Sequence, residues 1–156
     1  MRKVGFLACS AVMFIVLMAS AQASEINDFD SAVLLCDVQK ARAILIKSPE
    51  LIRKKSEQGY TPLHVVAIGV VKGDKAVEMV RMLISRGADP NAADNLADTP
   101  LHIAARNGRG EIARALIEGG AEVNPRNRAG QTPLGVAREC EKYNVADLLN
   151  LKGGKE

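Results

Sequence analysis

The distribution of apolar positions changes character along the chain. Val4 to Met18 is almost continuously apolar, interrupted only by Gly5, Cys9 and Ser10, whereas beyond Ser24 apolar residues come in short groups at helical spacing. Leu101, Ala104 and Ala105 share one face of a helix begun at Pro100, and Ile112, Leu116 and Ile117 share one face of a second, with a turn at Gly108 between them. Gly119-Gly120 ends the second helix, since glycine tolerates the left-handed conformation of a C-terminal cap. A polar, turn-rich stretch from Asn124 to Gly130 then leads to the next pair. The pattern predicts an all-α chain whose unit is helix, turn, helix, projecting loop.

The unit recurs. Thr61-Pro62-Leu63-His64 returns as Thr99-Pro100-Leu101-His102 and again as Thr132-Pro133-Leu134-Gly135. The interval from Thr99 to Thr132 also separates Gly87-Ala88-Asp89-Pro90-Asn91 from Gly120-Ala121-Glu122-Val123-Asn124, while the interval from Thr61 to Thr99 is longer. Each Thr-Pro starts a helix: threonine caps free backbone amides, and proline at the first helical position has no amide to leave unsatisfied. In motif, and in its period of about 33 residues, the chain resembles the ankyrin-repeat family. The resemblance is firm in the middle of the chain and weaker at its ends, and it implies a solenoid of four units, about 27–58, 59–97, 98–130 and 131–156. The first lacks Thr-Pro-Leu-His and reads as an N-terminal cap. The fourth, with Gly135 for the motif histidine and Arg138 for an inner alanine, reads as a C-terminal cap.

Met1, Arg2 and Lys3 precede the apolar run, and Ala19-Ser20-Ala21-Gln22-Ala23 closes it with the small-x-small pattern of a cleavage site. A signal peptide over 1–23 is expected, cut between Ala23 and Ser24 and followed by a repeat domain over 24–156. An uncleaved anchor is the alternative, disfavoured by the small-residue end and the polar turn after it. The expected product is a soluble protein of the bacterial periplasm, off the membrane after cleavage and monomeric when free.

Without Arg2 and Lys3 the 21 basic residues fall to 19 against 18 acidic ones, a formal charge of +1 that excludes the concentrated basic face a nucleic acid requires. Aromatic residues make up 3% of the chain and tryptophan is absent, so Ala, Leu, Ile and Val must build the core, as suits closely packed helices.

Candidate chemistry is sparse, and no catalytic residue is expected. The two histidines, His64 and His102, hold equivalent motif positions, and the resemblance implies a structural role for them together with Thr61, Pro62, Thr99, Pro100, Thr132 and Pro133. Stacked helices lie about 8 to 10 Å apart, which places the two rings poorly for one ion, so no metal and no cofactor are expected. Cys36 and Cys140 belong to units three repeats apart, too far for a disulfide, and have no histidine base nearby in sequence. Asp37, Glu78 and Glu111 recur near second-helix starts, where a negative charge suits the helix dipole, and no glycine-rich phosphate loop is present.

Stacking aligns loop tips and first-helix faces into one concave surface. By register its expected partner contacts are Glu57, Gln58 and Tyr60, then Asn95, Leu96 and Asp98, then Arg128 and Gln131 on the loops, with Ile68, Arg106, Asn107 and Glu139 on the first helices. Tyr60 is either an anchor for a partner or packing against the adjacent loop. The five extra residues of the longer interval fall within 68–74 and lengthen the first helix or the turn after it. Ile68, Val70 and Val71 make this insertion apolar, either a recognition element or added internal packing. With Tyr60 and Leu96 it is expected to form one connected surface. The function expected is non-enzymatic binding of another exported or envelope protein, with inhibition of a hydrolase ahead of support for a stress-defence enzyme or a host-directed role. A cryptic enzyme is the remaining alternative.

Overall fold

The computed structural model describes residues 28–69 and 71–156, so the expected signal peptide and Val70 lie outside the described residues. Residues 28–34 are helical (α1). They are followed by α2 (Val38–Lys47), a short 3-10 turn (Pro49–Arg53), α3 (Pro62–Ile68), α4 (Asp74–Ser85), α5 (Pro100–Arg106), α6 (Gly110–Glu118), α7 (Pro133–Glu139) and α8 (Tyr143–Leu151). The described elements are all helical and pair as α1/α2, α3/α4, α5/α6 and α7/α8. Each pair falls within one predicted unit.

Two layers result. The first helices pack in sequence, α3 on α5 and α5 on α7, while α2, α4, α6 and α8 form a second row behind them. Equivalent positions of successive units become rungs of one core: Met79, Ile112 and Val145 are each at most 2% exposed, as are Leu83, Leu116 and Leu149. Leu63, Leu101 and Leu134 make the matching rung between the layers, buried to the same degree. Burying each such side chain contributes about 1.5 to 3 kcal/mol. Ala67, Ala104, Ala105 and Ala137 have no exposed surface, and their size lets neighbouring first helices approach.

The turn side chains fasten successive units. Asn91 donates from Nδ2 to the carbonyl of Gly120 at 3.1 Å and accepts at Oδ1 from the amide of Glu122 at 2.8 Å. Asn124 repeats both bonds to Gly153 (3.0 Å) and Lys155 (2.6 Å). The segment after α8 therefore lies against unit three as 120–122 lies against unit two, and Gly87, Gly120 and Gly153 all take the left-handed conformation.

The insertion does not lengthen the first helix, since α3 and α5 are both seven residues long. Three of the five extra residues, Asp74, Lys75 and Ala76, extend α4 at its start relative to α6, and the other two lengthen the turn before it. With Ala76 fully buried, extending the second helix gives the added residues backbone partners and a place in the core.

Candidate interaction surface

The first helices α3, α5 and α7 each start at a threonine whose neighbours explain the motif. The amide of Thr61 donates to Nδ1 of His64 at 3.1 Å, and the Thr61 hydroxyl lies 2.8 Å from the same nitrogen. Nε2 of His64 is 3.0 Å from the carbonyl of Asp98 in the next unit. A carbonyl only accepts, so Nε2 carries the proton and donates, leaving Nδ1 as the acceptor for Thr61. His102 repeats the arrangement with Thr99 and with the carbonyl of Gln131, at 3.0 Å. Both rings have no exposed surface, and burial holds both pKa values below the ordinary histidine value against the opposing pull of the carbonyl bond. In unit four, where Gly135 replaces the histidine, the Thr132 hydroxyl accepts from the Gly135 amide at 3.2 Å and donates to the Lys155 carbonyl at 2.5 Å. Pro62, Pro100 and Pro133 are buried at the first position of α3, α5 and α7.

The three fingers preceding these helices, 55–60, 94–98 and 126–131, are bonded edge to edge. The Asn95 amide donates to the Gln58 carbonyl at 3.0 Å, and the Arg128 amide donates to the Leu96 carbonyl at 2.9 Å. Asn95 Nδ2 donates to the Glu57 carbonyl at 2.8 Å. Asp94 Oδ1 accepts from the amides of Leu96 (2.8 Å) and Asp98 (2.9 Å), so both backbone polar groups of Leu96 are occupied while its side chain is 60% exposed. Gly59 takes φ +84°, and a Cβ there would sit 2.8 Å from Asn95 Oδ1 and 2.9 Å from the Asn95 backbone nitrogen, so the close approach of the first two fingers requires glycine.

Of the expected contacts, Glu57, Gln58, Asn95, Leu96, Asn107, Arg128 and Glu139 are exposed, and Ile68 keeps 43% of its surface. Asp98 is a correction: it is 1% exposed, not an outward position. Its carboxylate ion-pairs with Arg106 at 2.6 Å and accepts from Asn127 at 2.8 Å. Arg106 and the Asn127 amide hold this side chain inward, at the register position where unit two has Tyr60 and unit four Gln131. Arg106 is consequently half-buried and committed to Asp98. Half-buried Gln131 donates from its amide to the Glu139 carboxylate. Tyr60, also half-buried, stacks on His64 of its own unit, with ring centroids 5.7 Å apart.

The insertion turn is held from the next unit. Arg109 donates to the carbonyls of Gly69 and Val71, and Asn107 Nδ2 lies 3.4 Å from the Ala67 carbonyl. Val71 is half-buried against the core. The seven residues of α3 separate this turn from Tyr60 by about 10 Å. Arg109 escaped the register argument because it sits at the turn before α6, away from the loop tips. The available signal was the inserted turn itself, whose backbone carbonyls need donors from somewhere.

Cys36 is buried in the turn before α2 and Cys140 half-buried after α7, both as free thiols. Burial pushes the Cys36 thiol up, against the charge of Arg109. Among the described residues no group of three or more His, Cys, Asp or Glu side chains is placed to hold a metal ion, and no helix is long and apolar enough to cross a membrane.

A family model for ankyrin repeats (3 copies) matches residues 70–155, more than half of the chain. The chain belongs to the ankyrin-repeat family. Among curated proteins it is similar to E3 ubiquitin-protein ligase XB3 of Oryza sativa subsp. japonica, 32% identical over 92 residues, which are 59% of this chain and 20% of that one. It is also similar to protein PhlB of Serratia liquefaciens, 37% identical over 79 residues, 51% of this chain and 33% of the relative. The chain thus spans a third or less of the length of either. Ankyrin repeats are protein-protein interaction modules, generally without catalytic activity of their own.

Proposed function

We propose that this ankyrin-repeat protein is exported to the periplasm and acts without catalysis, by binding another exported or envelope protein and blocking its activity, with a hydrolase as the favoured class. The observation that carries the binding reading is Leu96, an exposed aliphatic side chain on a finger whose backbone is already fixed by Asp94 and Arg128. An anchor held in place before binding loses little conformational freedom on association, which is where affinity is usually lost. The export reading rests on the charged start, apolar run and small-residue end of residues 1–23. Inhibition is favoured because a small rigid body can occlude an active site.

The test is fractionation followed by reconstitution. The protein is expected in the osmotic-shock fraction with Ser24 at its N-terminus, and its copurifying partner should lose activity on addition of one equivalent. Full activity with a raised melting temperature would support the alternative role of a stabilising accessory to a stress-defence enzyme. Retention of Met1 in the membrane fraction would defeat the export reading.

A further inference from the structure

The finger row carries a charge order. Six charged side chains lie on the three fingers, and four have internal partners: Lys55 donates to the Ala93 carbonyl, Asp94 accepts from backbone amides, Asp98 pairs with Arg106, and Arg126 donates to the Gly130 carbonyl. Glu57 and Arg128 are exposed, and among the described residues their side chains have no ion pair or hydrogen bond. They hold the same register position on the first and third fingers, four residues before Thr61 and Thr132, with Asn95 between them and Leu96 beside it. Edge-to-edge bonds fix the order, so the row reads acid, aliphatic, base. At about 10 Å per layer, its charged ends are on the order of 20 Å apart.

Deepening the binding reading above, on which it rests, we infer that Glu57, Leu96 and Arg128 recognise an extended protein segment with a central aliphatic side chain flanked by one basic and one acidic residue. The two free charges have been given no internal work, and opposite charges on a partner would set its register while Leu96 supplies the apolar contact. An extended strand rises about 3.3 Å per residue, so each flanking charge belongs about three residues from the aliphatic one.

A randomised peptide library displayed on phage, panned against the purified protein and three variants, tests this without a known partner. The wild type should enrich peptides with opposite charges flanking an aliphatic residue. Arg128→Glu should enrich two basic flanks and Glu57→Arg two acidic flanks, whichever way the peptide runs. A synthetic wild-type-selected peptide should bind Leu96→Ala at least about tenfold more weakly. Circular dichroism must show each variant folded. The same motif on all proteins, flanks without charge preference, or no enrichment on the wild type would overturn the assignment. None of these outcomes decides export or inhibition, which fractionation and reconstitution test separately.

Discussion

The carboxylate of Asp98 and the guanidinium of Arg106 meet at 2.6 Å, one almost wholly buried and the other 40% exposed at its side chain. The asymmetry makes the pair unequal to mutation. Arg106→Ala leaves the buried carboxylate with Asn127 alone and should destabilise the fold by about 2 to 3 kcal/mol, whereas Asp98→Asn lets the arginine turn to water and should cost about 1 kcal/mol. Urea denaturation of both variants measures the difference, and equal costs would mean that Arg106 does not support the buried charge.

His64→Ala and His102→Ala should each cost roughly 1 to 3 kcal/mol, because each leaves a threonine amide and a neighbouring unit's carbonyl without their partner. One equivalent of zinc should leave the melting temperature of the unmutated protein unchanged. A rise that disappears in either variant would identify a metal site instead.

The same rings make stability depend on pH. Their folded pKa values lie below the ordinary value of about 6.5, so the unfolded chain binds more protons than the native one as pH falls through that value. The stability is fully present above about pH 6.5 and is lost as pH falls from there toward the folded pKa values. The urea midpoint should therefore drop between pH 7.5 and 5.5. A double variant lacking both imidazoles should show a shallower drop, and an unchanged slope would separate the effect from the histidines.

Residue 97 should accept glycine with a gain. Ala97 takes φ +59° at the register position where Gly59 and Gly130 take +84° and +77°. Ala97→Gly should stabilise the protein by about 0.5 to 1 kcal/mol, and Gly59→Ala should destabilise it by more than that, since it adds a clash with Asn95 to the backbone strain. Thermal melts of the two variants should shift in opposite directions.

Arg109→Ala should free the carbonyls of Gly69 and Val71 from their donor. Hydrogen exchange is expected to speed up over residues 69–73 while the α6–α8 core keeps its protection. Acceleration throughout the chain would instead mark Arg109 as a determinant of global stability.

Thr-Pro starts, glycine stops and the recurring interval made the helix pairs legible, because each has a local chemical cause that does not depend on distant parts of the chain. The candidate surface was legible only where register equals exposure. Register placed Leu96 at a tip, and its side chain is exposed, but the same reasoning put Asp98 outward without seeing that Arg106, two turns along the next helix, and Asn127 on the next finger would draw its carboxylate inside. It likewise could not apportion the insertion, because whether added residues lengthen a helix or a turn is decided by what they pack against. Ala76 found a fully buried place in the second layer, and Val71 a half-buried one under Arg109.

Asn91 and Asn124 close successive junctions with the same two bonds, one repeat apart. These two bonds involve one side chain and two backbone groups, and so make no demand on the other side chains of the units they join. A copy of residues 92–124 spliced in after Asn124 would meet the bonding partners its predecessor met, and its own asparagine would receive the segment that Asn124 now holds. The protein's reach along a partner would then grow by one layer, about 10 Å, with each duplication, and its length becomes a quantity that recombination can adjust without disturbing the chemistry of closure.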